Sequence, residues 1–141
     1  MRGSLPDVAY RRARHLVLEN ARVVTTIDAL KAGDWAVLAG LFAESHASLR
    51  DDFEVSSPEL DAMFEIARAV PGVVATRMTG AVFGGCTVAF VERDSTERLR
   101  QAVLREYPAR TGLIPRVFAV EAADGAGFLD IDRAFDGIDV A

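Results

Sequence analysis

One cysteine, one lysine, one tryptophan and two histidines are all that this 141-residue chain holds of those types. Each scarcity excludes something. Cys86 has no second cysteine to pair with, so no internal disulfide framework exists, and the chain fits a reducing compartment. Lys31 is the sole lysine, and the 16 basic residues are spread along the chain against 21 acidic ones. With a net charge of −5 and a pI near 5.0, that pattern argues against nucleic acid as the main partner, since phosphate binding wants clustered Lys and Arg. His15 and His46 have no metal-ligand spacing. No apolar run approaches the roughly 20 residues of a membrane-spanning helix. The stretch Met1 to Asp7 lacks the apolar core of a signal peptide, and the expected location is cytoplasmic. No fixed-period repeat and no low-complexity tract occurs, which removes solenoid architectures.

Half of the chain is hydrophobic and about a quarter charged, the range of a globular domain, and the length suits one core. Val17, Ala21, Val24, Ile27 and Leu30 fall at helical spacing and predict a first helix from about Asp7 to Lys31, stopped by Gly33. Asp34 is placed to cap a second helix with Leu38, Leu41, Phe42, Ser45 and Leu49 on one face. Ser56-Ser57-Pro58-Glu59 marks a third start: a serine cap, a proline in the first turn and an acid near the positive helix end. Leu60, Met63, Phe64 and Ala67 form its inner stripe, and Pro71-Gly72 end it. The period then changes. Val73 to Thr79 and Cys86 to Val91 read as an antiparallel strand pair. Asp94-Ser95-Thr96-Glu97 offers a capping box for a fourth helix through about Tyr107. After Thr111-Gly112 and Pro115, residues Arg116 to Glu121 read as a third strand. The expected class is α+β, a ferredoxin-like split β-α-β with extra N-terminal helices and its first strand missing. A sheet of that kind keeps an unsatisfied edge, a liability for association.

Between the paired strands lies Arg77-Met78-Thr79-Gly80-Ala81-Val82-Phe83-Gly84-Gly85-Cys86. A strand ending in a glycine-rich loop exposes backbone N–H groups that can face an anion or a close-packed neighbour. This loop resembles the third signature motif of galactokinases, in the GHMP kinase superfamily, with a departure at Val82, where that family has glycine. Three further blocks share the likeness: Arg12-Ala13-Arg14-His15 with Glu19-Asn20-Ala21-Arg22; Ser45-His46-Ala47-Ser48-Leu49-Arg50-Asp51-Asp52-Phe53-Glu54-Val55-Ser56; and Pro58-Glu59-Leu60-Asp61. The resemblance runs from about Leu5 to Asp124. It divides the chain into a GHMP-kinase C-terminal domain over residues 1–125 and an unassigned tail over 126–141.

The resemblance implies ATP-dependent phosphorylation of galactose at its anomeric hydroxyl, with Mg²⁺ bridging phosphates. In that family the N-terminal domain supplies the phosphate-holding loop, the aspartate near the sugar hydroxyl and an assisting arginine. No segment here matches those motifs. The chain alone is therefore expected to be inactive, with no catalytic residue and no metal ligand of its own, and with ATP and Mg²⁺ probably not bound, by implication of the family, without a complementary N-terminal half. In such a complex Thr79, Gly80, Ala81, Val82, Gly84 and Gly85 form the substrate and phosphate loop beside galactose and ATP. A β-branched Val82 fits poorly wherever φ is positive, at a cost on the order of 1–3 kcal/mol. The alternatives are a non-catalytic galactokinase-like binding or regulatory module, a remnant, or a domain of a related sugar-1-kinase, and self-association through the sheet edge or a domain face.

Other residues carry plainer readings. Cys86, at a strand entry, reads as a small buried hydrophobe. His46 reads as a structural hydrogen-bonding residue, and His15 as a helix-surface pair with Glu19 four residues on. Asp51, Asp52 and Glu54 read as an acidic loop leading into a capped helix, not a Mg²⁺ site. Arg11, Arg12 and Arg14 read as a solvated or domain-contact face.

Overall fold

The computed structural model describes residues 5–80 and 85–123. Helix α1 spans Asp7–Ala32, with Asp7 in its first turn and Gly33 closing it in the left-handed conformation at φ 65°. Asp34 then caps α2 (Trp35–Asp51), its carboxylate accepting the Val37 N–H at 3.0 Å. Two residues thus separate the helices, and α1 and α2 form an antiparallel hairpin. Helix α3 (Pro58–Ala69) begins as expected, with Ser57 in extended backbone accepting the Leu60 N–H and Pro58 in the first turn. Ser57→Ala is expected to cost about 1 kcal/mol in urea unfolding, with Ser57→Asp close to the parent; equal stability of all three would remove the cap from the account.

Strands β1 (Val73–Thr79) and β2 (Cys86–Val91) pair antiparallel, from Val73 opposite Val91 to Thr79 opposite Cys86, with an irregularity between Val73 and Ala75. A 3-10 turn at Arg93–Ser95 leads into α4 (Thr96–Thr111). The expected capping box does not form. The turn holds Ser95 at φ −102°, ψ −4°, and a capping side chain needs extended backbone at that position.

The core lies where α3 and α4 cover one face of the hairpin: Ile66, Ala67, Val70, Leu99, Ala102 and Val103, with Ala89, Val91 and Val117 packed against them. Helix α2 packs on β1, and α1 packs on α2. This is the α+β arrangement expected, with one correction: residues 113–123 form no strand. In the split β-α-β order, the strand that would pair with 116–121 is the absent first one, which would also pair with the free edge of β2. Without it the third strand has no ladder to join.

Helix α1 also turns its faces in an unexpected way. Its buried residues are His15 and Ala29, while Leu16, Val17, Val23, Val24, Ile27 and Leu30 are exposed. The face turned to α2 is the polar one.

Candidate functional site

The candidate site is the glycine-rich connection between β1 and β2. Of its expected residues Thr79, Gly80 and Gly85 are described; Ala81, Val82 and Gly84 lie outside the described residues. Gly80 has φ 93°, a conformation that disfavours any side chain. At Gly85 an added Cβ would lie 2.6 Å from the carbonyl oxygen of Thr79, so the two arms of the loop approach too closely for any other residue. These two glycines bring the ends of the loop together at the last ladder pair, Thr79 with Cys86. Cys86 is exposed, contrary to the buried position expected. The alternation along β2 explains this: Thr87, Ala89 and Val91 face the helices, while Cys86, Val88 and Phe90 face outward.

Beneath the loop sits His46, only 1% exposed. Its Nδ1 accepts the Met78 N–H at 3.3 Å, one residue before Thr79. Nδ1 must therefore be unprotonated, and Nε2–H donates to Asp61 Oδ1 at 3.1 Å. The same oxygen accepts the Ser56 hydroxyl at 2.6 Å. Phe64 stacks on the imidazole at 3.8 Å between centroids. Burial pushes the His46 pKa below its ordinary value, against the opposing hydrogen bond and charge of Asp61. The structural role expected of His46 is the one it has: it joins α2, α3 and the outer edge of β1 at the foot of the loop.

Arg77 is tied from the other side. Its guanidinium lies 3.5 Å from Glu19 Oε2 on α1. Glu19 also accepts the Ser45 hydroxyl at 2.7 Å and pairs with Arg22. Burial alone would raise the Glu19 carboxyl, but the bonds from Ser45 and Arg22 and the Arg77 charge outweigh it and hold the pKa below its ordinary value. Glu19 is thus engaged with α2 and β1, and His15 is not its surface partner. His15 is buried, stacked on Phe53 at 4.6 Å, and its Nδ1 lies 3.0 Å from Ser48 Oγ. Ser48 gives its own proton to Asp52 Oδ2, so His15 Nδ1–H donates to Ser48. Burial lowers the His15 pKa despite the nearby Glu19 charge.

The basic and acidic clusters prove to be partners. Arg12 donates to the Asp52 carbonyl at 2.6 Å and to Glu54 at 2.7 Å; Arg11 reaches Glu54 at 2.9 Å and Arg14 reaches Asp52 at 3.0 Å. Glu54 is held at φ 58° under this clamp. The arginines therefore close on the α2–α3 connection rather than fanning into solvent, which a reading of α1 in isolation could not reveal. The signal in the sequence was the pairing of the two blocks: residues 12, 14, 15, 19 and 22 each meet a residue of the segment 44–54. Among the described residues no group of three or more His, Cys, Asp and Glu gathers as a metal site, and no helix is long and apolar enough to cross a membrane.

The fold and this loop are those of a sugar-kinase C-terminal domain, and comparison with known proteins agrees. Residues 26–109 match the family described as GHMP kinases C terminal, and the chain belongs to that family. It is 45% identical over 123 residues to the galactokinase of Roseiflexus sp., covering 87% of this chain and 32% of that protein. It is 41% identical over 119 residues to the galactokinase of Halalkalibacterium halodurans, covering 84% and 30%. The crystal structure of Lactococcus lactis galactokinase complexed with galactose superposes with a TM-score of 0.74 at 41% identity, over 77% of this chain and 28% of that one. The chain thus spans about a third of the length of the relatives it matches.

Proposed function

We propose that this chain is the C-terminal part of a galactokinase-type sugar kinase and transfers no phosphoryl group by itself. One observation carries the reading. The polar residues of the blocks that resemble galactokinases are turned inward to hold the hairpin, and both histidines are spent on structural hydrogen bonds. Such a chain supplies a wall and backbone donors but no acid–base group. Phosphoryl transfer from ATP to a sugar hydroxyl then depends on positioning and charge neutralisation from elsewhere. In the assembled enzyme Thr79, Gly80, Ala81, Val82, Gly84 and Gly85 would line the cleft beside galactose and ATP·Mg²⁺. The exposed apolar stripe of α1, Val17 to Leu30, suits burial against another body. That stripe also favours the second reading, a galactokinase-like module that binds a protein without catalysis.

The test is titration of the chain with ATP·Mg²⁺, with galactose and with both, followed by addition of the separately expressed N-terminal part of the Roseiflexus galactokinase. No heat and no product alone, with galactose phosphorylation recovered on addition, is the expected result. Phosphorylation by the chain alone would contradict the proposal. Silence after addition, with the N-terminal part shown to bind, would favour the module.

A further inference from the structure

Between β2 and the extended residues 113–121 lies an open cleft of about 1260 Å³. Its floor is apolar and belongs to α3 and α4: Leu60, Met63, Ala67, Leu99, Val103 and Tyr107. One wall is the unpaired edge of β2, where Thr87 Oγ1 is buried without a hydrogen-bond partner. The opposite wall is held in place at two points. Val117 packs on the core, and Glu121 lies 2.8 Å from Arg93, just beyond the end of β2. The C-terminal ends of β2 and of residues 113–121 therefore lie together, so the two walls run parallel, as a helical crossover requires. A strand that paired with both walls in antiparallel fashion would have to run opposite to each.

The chain itself continues in that direction. After Ala123 comes Asp124-Gly125-Ala126-Gly127, a turn-forming stretch, and then Phe128-Leu129-Asp130-Ile131-Asp132-Arg133, which alternates apolar and polar at Leu129 to Asp132. We propose that residues 128–133 of the C-terminal tail occupy this cleft as the missing strand, pairing with 116–121 through a hairpin and with the free edge of β2. A five-residue loop over 123–127 pairs residue 122 with 128, 119 with 131 and 121 with 129. This register puts Leu129 and Ile131 on the side of Val117, over the apolar floor, and Asp130 and Asp132 on the side of exposed Arg116. Charge supports the same occupant: Arg93, Arg100 and Arg116 rim the cleft, and the tail carries Asp130, Asp132, Asp136 and Asp139. A strand of six residues also matches the length of β2. The replaced strand comes from the opposite end of the domain, so the tail restores the sheet in a permuted order.

Amide hydrogen exchange on the intact chain tests this, with a spin label on Cys86, the single cysteine and exposed. The expected result is exchange slowed on the order of a hundredfold at residues 129–132 and along the β2 edge, independent of protein concentration. Broadening of tail amides by the label should accompany it. Leu129→Asp with Ile131→Asp should abolish the tail protection and the broadening together, while Phe128→Ser should preserve both. Retained far-UV dichroism in the double variant separates loss of docking from loss of fold. Free exchange throughout the tail overturns the proposal. So does protection of the β2 edge that grows with concentration while the tail exchanges freely, since a second copy would then fill the cleft. Neither readout involves sugar or nucleotide.

Discussion

His46→Leu should lower the unfolding free energy by about 3 kcal/mol, the largest single-residue effect expected at the foot of the loop. The side chain is buried, so its replacement leaves the Met78 N–H and one acceptor site of Asp61 without their partner. Each buried polar group deprived of its bond costs roughly 1–3 kcal/mol. Leucine also loses the flat stacking on Phe64. For a chain of this size the loss corresponds to a fall in Tm on the order of 10 °C. His46→Gln should recover part of it, because an amide can accept from Met78 and donate to Asp61 with a side chain of similar length. Denaturant titration of the three proteins decides the matter. A leucine variant within about 0.5 kcal/mol of the parent would mean that the Met78 N–H finds another acceptor, and the imidazole would then not be what fixes the end of β1.

Much of the fold was legible because local signals agreed with one another. Gly33 and Asp34 announce a helical hairpin, Ser57-Pro58 a helix start, and the change of period at Val73 a strand pair; all appear at those positions. What escaped is non-local. Residues 116–121 have the composition of a strand, but a strand exists only where a neighbour offers a ladder, and propensity alone cannot report that absence. The apolar spacing of α1 likewise predicted a helix correctly without telling which face turns inward. Arg12, His15, Glu19 and Arg22 meet α2 or the connection after it because that surface offers Asp52, Ser48, Ser45 and Glu44, a match spread over more than twenty residues of sequence.

The same coupling shows what the glycine-rich loop needs. Its departure point is held by two buried or half-buried polar assemblies, one through His46 to Met78 and one through Glu19 to Arg77, each reaching β1 from a different helix. The blocks that resemble galactokinases are thus linked to the loop physically. Glu19 and Ser45 orient Arg77, while His46, Asp61 and Ser56 orient the next residue. A substitution within either assembly reaches the loop without touching a glycine.

Acidification should destabilise the chain well before its carboxylates titrate. Both histidines are buried, and both have pKa values pushed below the ordinary 6.5 by burial. Geometry requires the same for His46, since a protonated Nδ1 would set its N–H against the Met78 N–H. The sign follows from proton binding. Between the lowered folded values and 6.5 the unfolded chain binds more protons than the folded one, so stability rises with pH through that window. It is complete above about pH 7 and falls as the pH drops below 6.5. Two histidines set a ceiling on the slope of about 2.7 kcal/mol per pH unit. Glu19, whose pKa is lowered from 4.5, adds to the loss only at more acid pH. Urea unfolding between pH 7.5 and 5.5 should therefore give a positive slope, roughly halved in His15→Gln and nearly flat in the variant that also carries His46→Gln. A parent slope of zero across this range would show that the imidazoles take up protons as readily folded as unfolded, and the neutral-histidine account of the loop's support would fall with it.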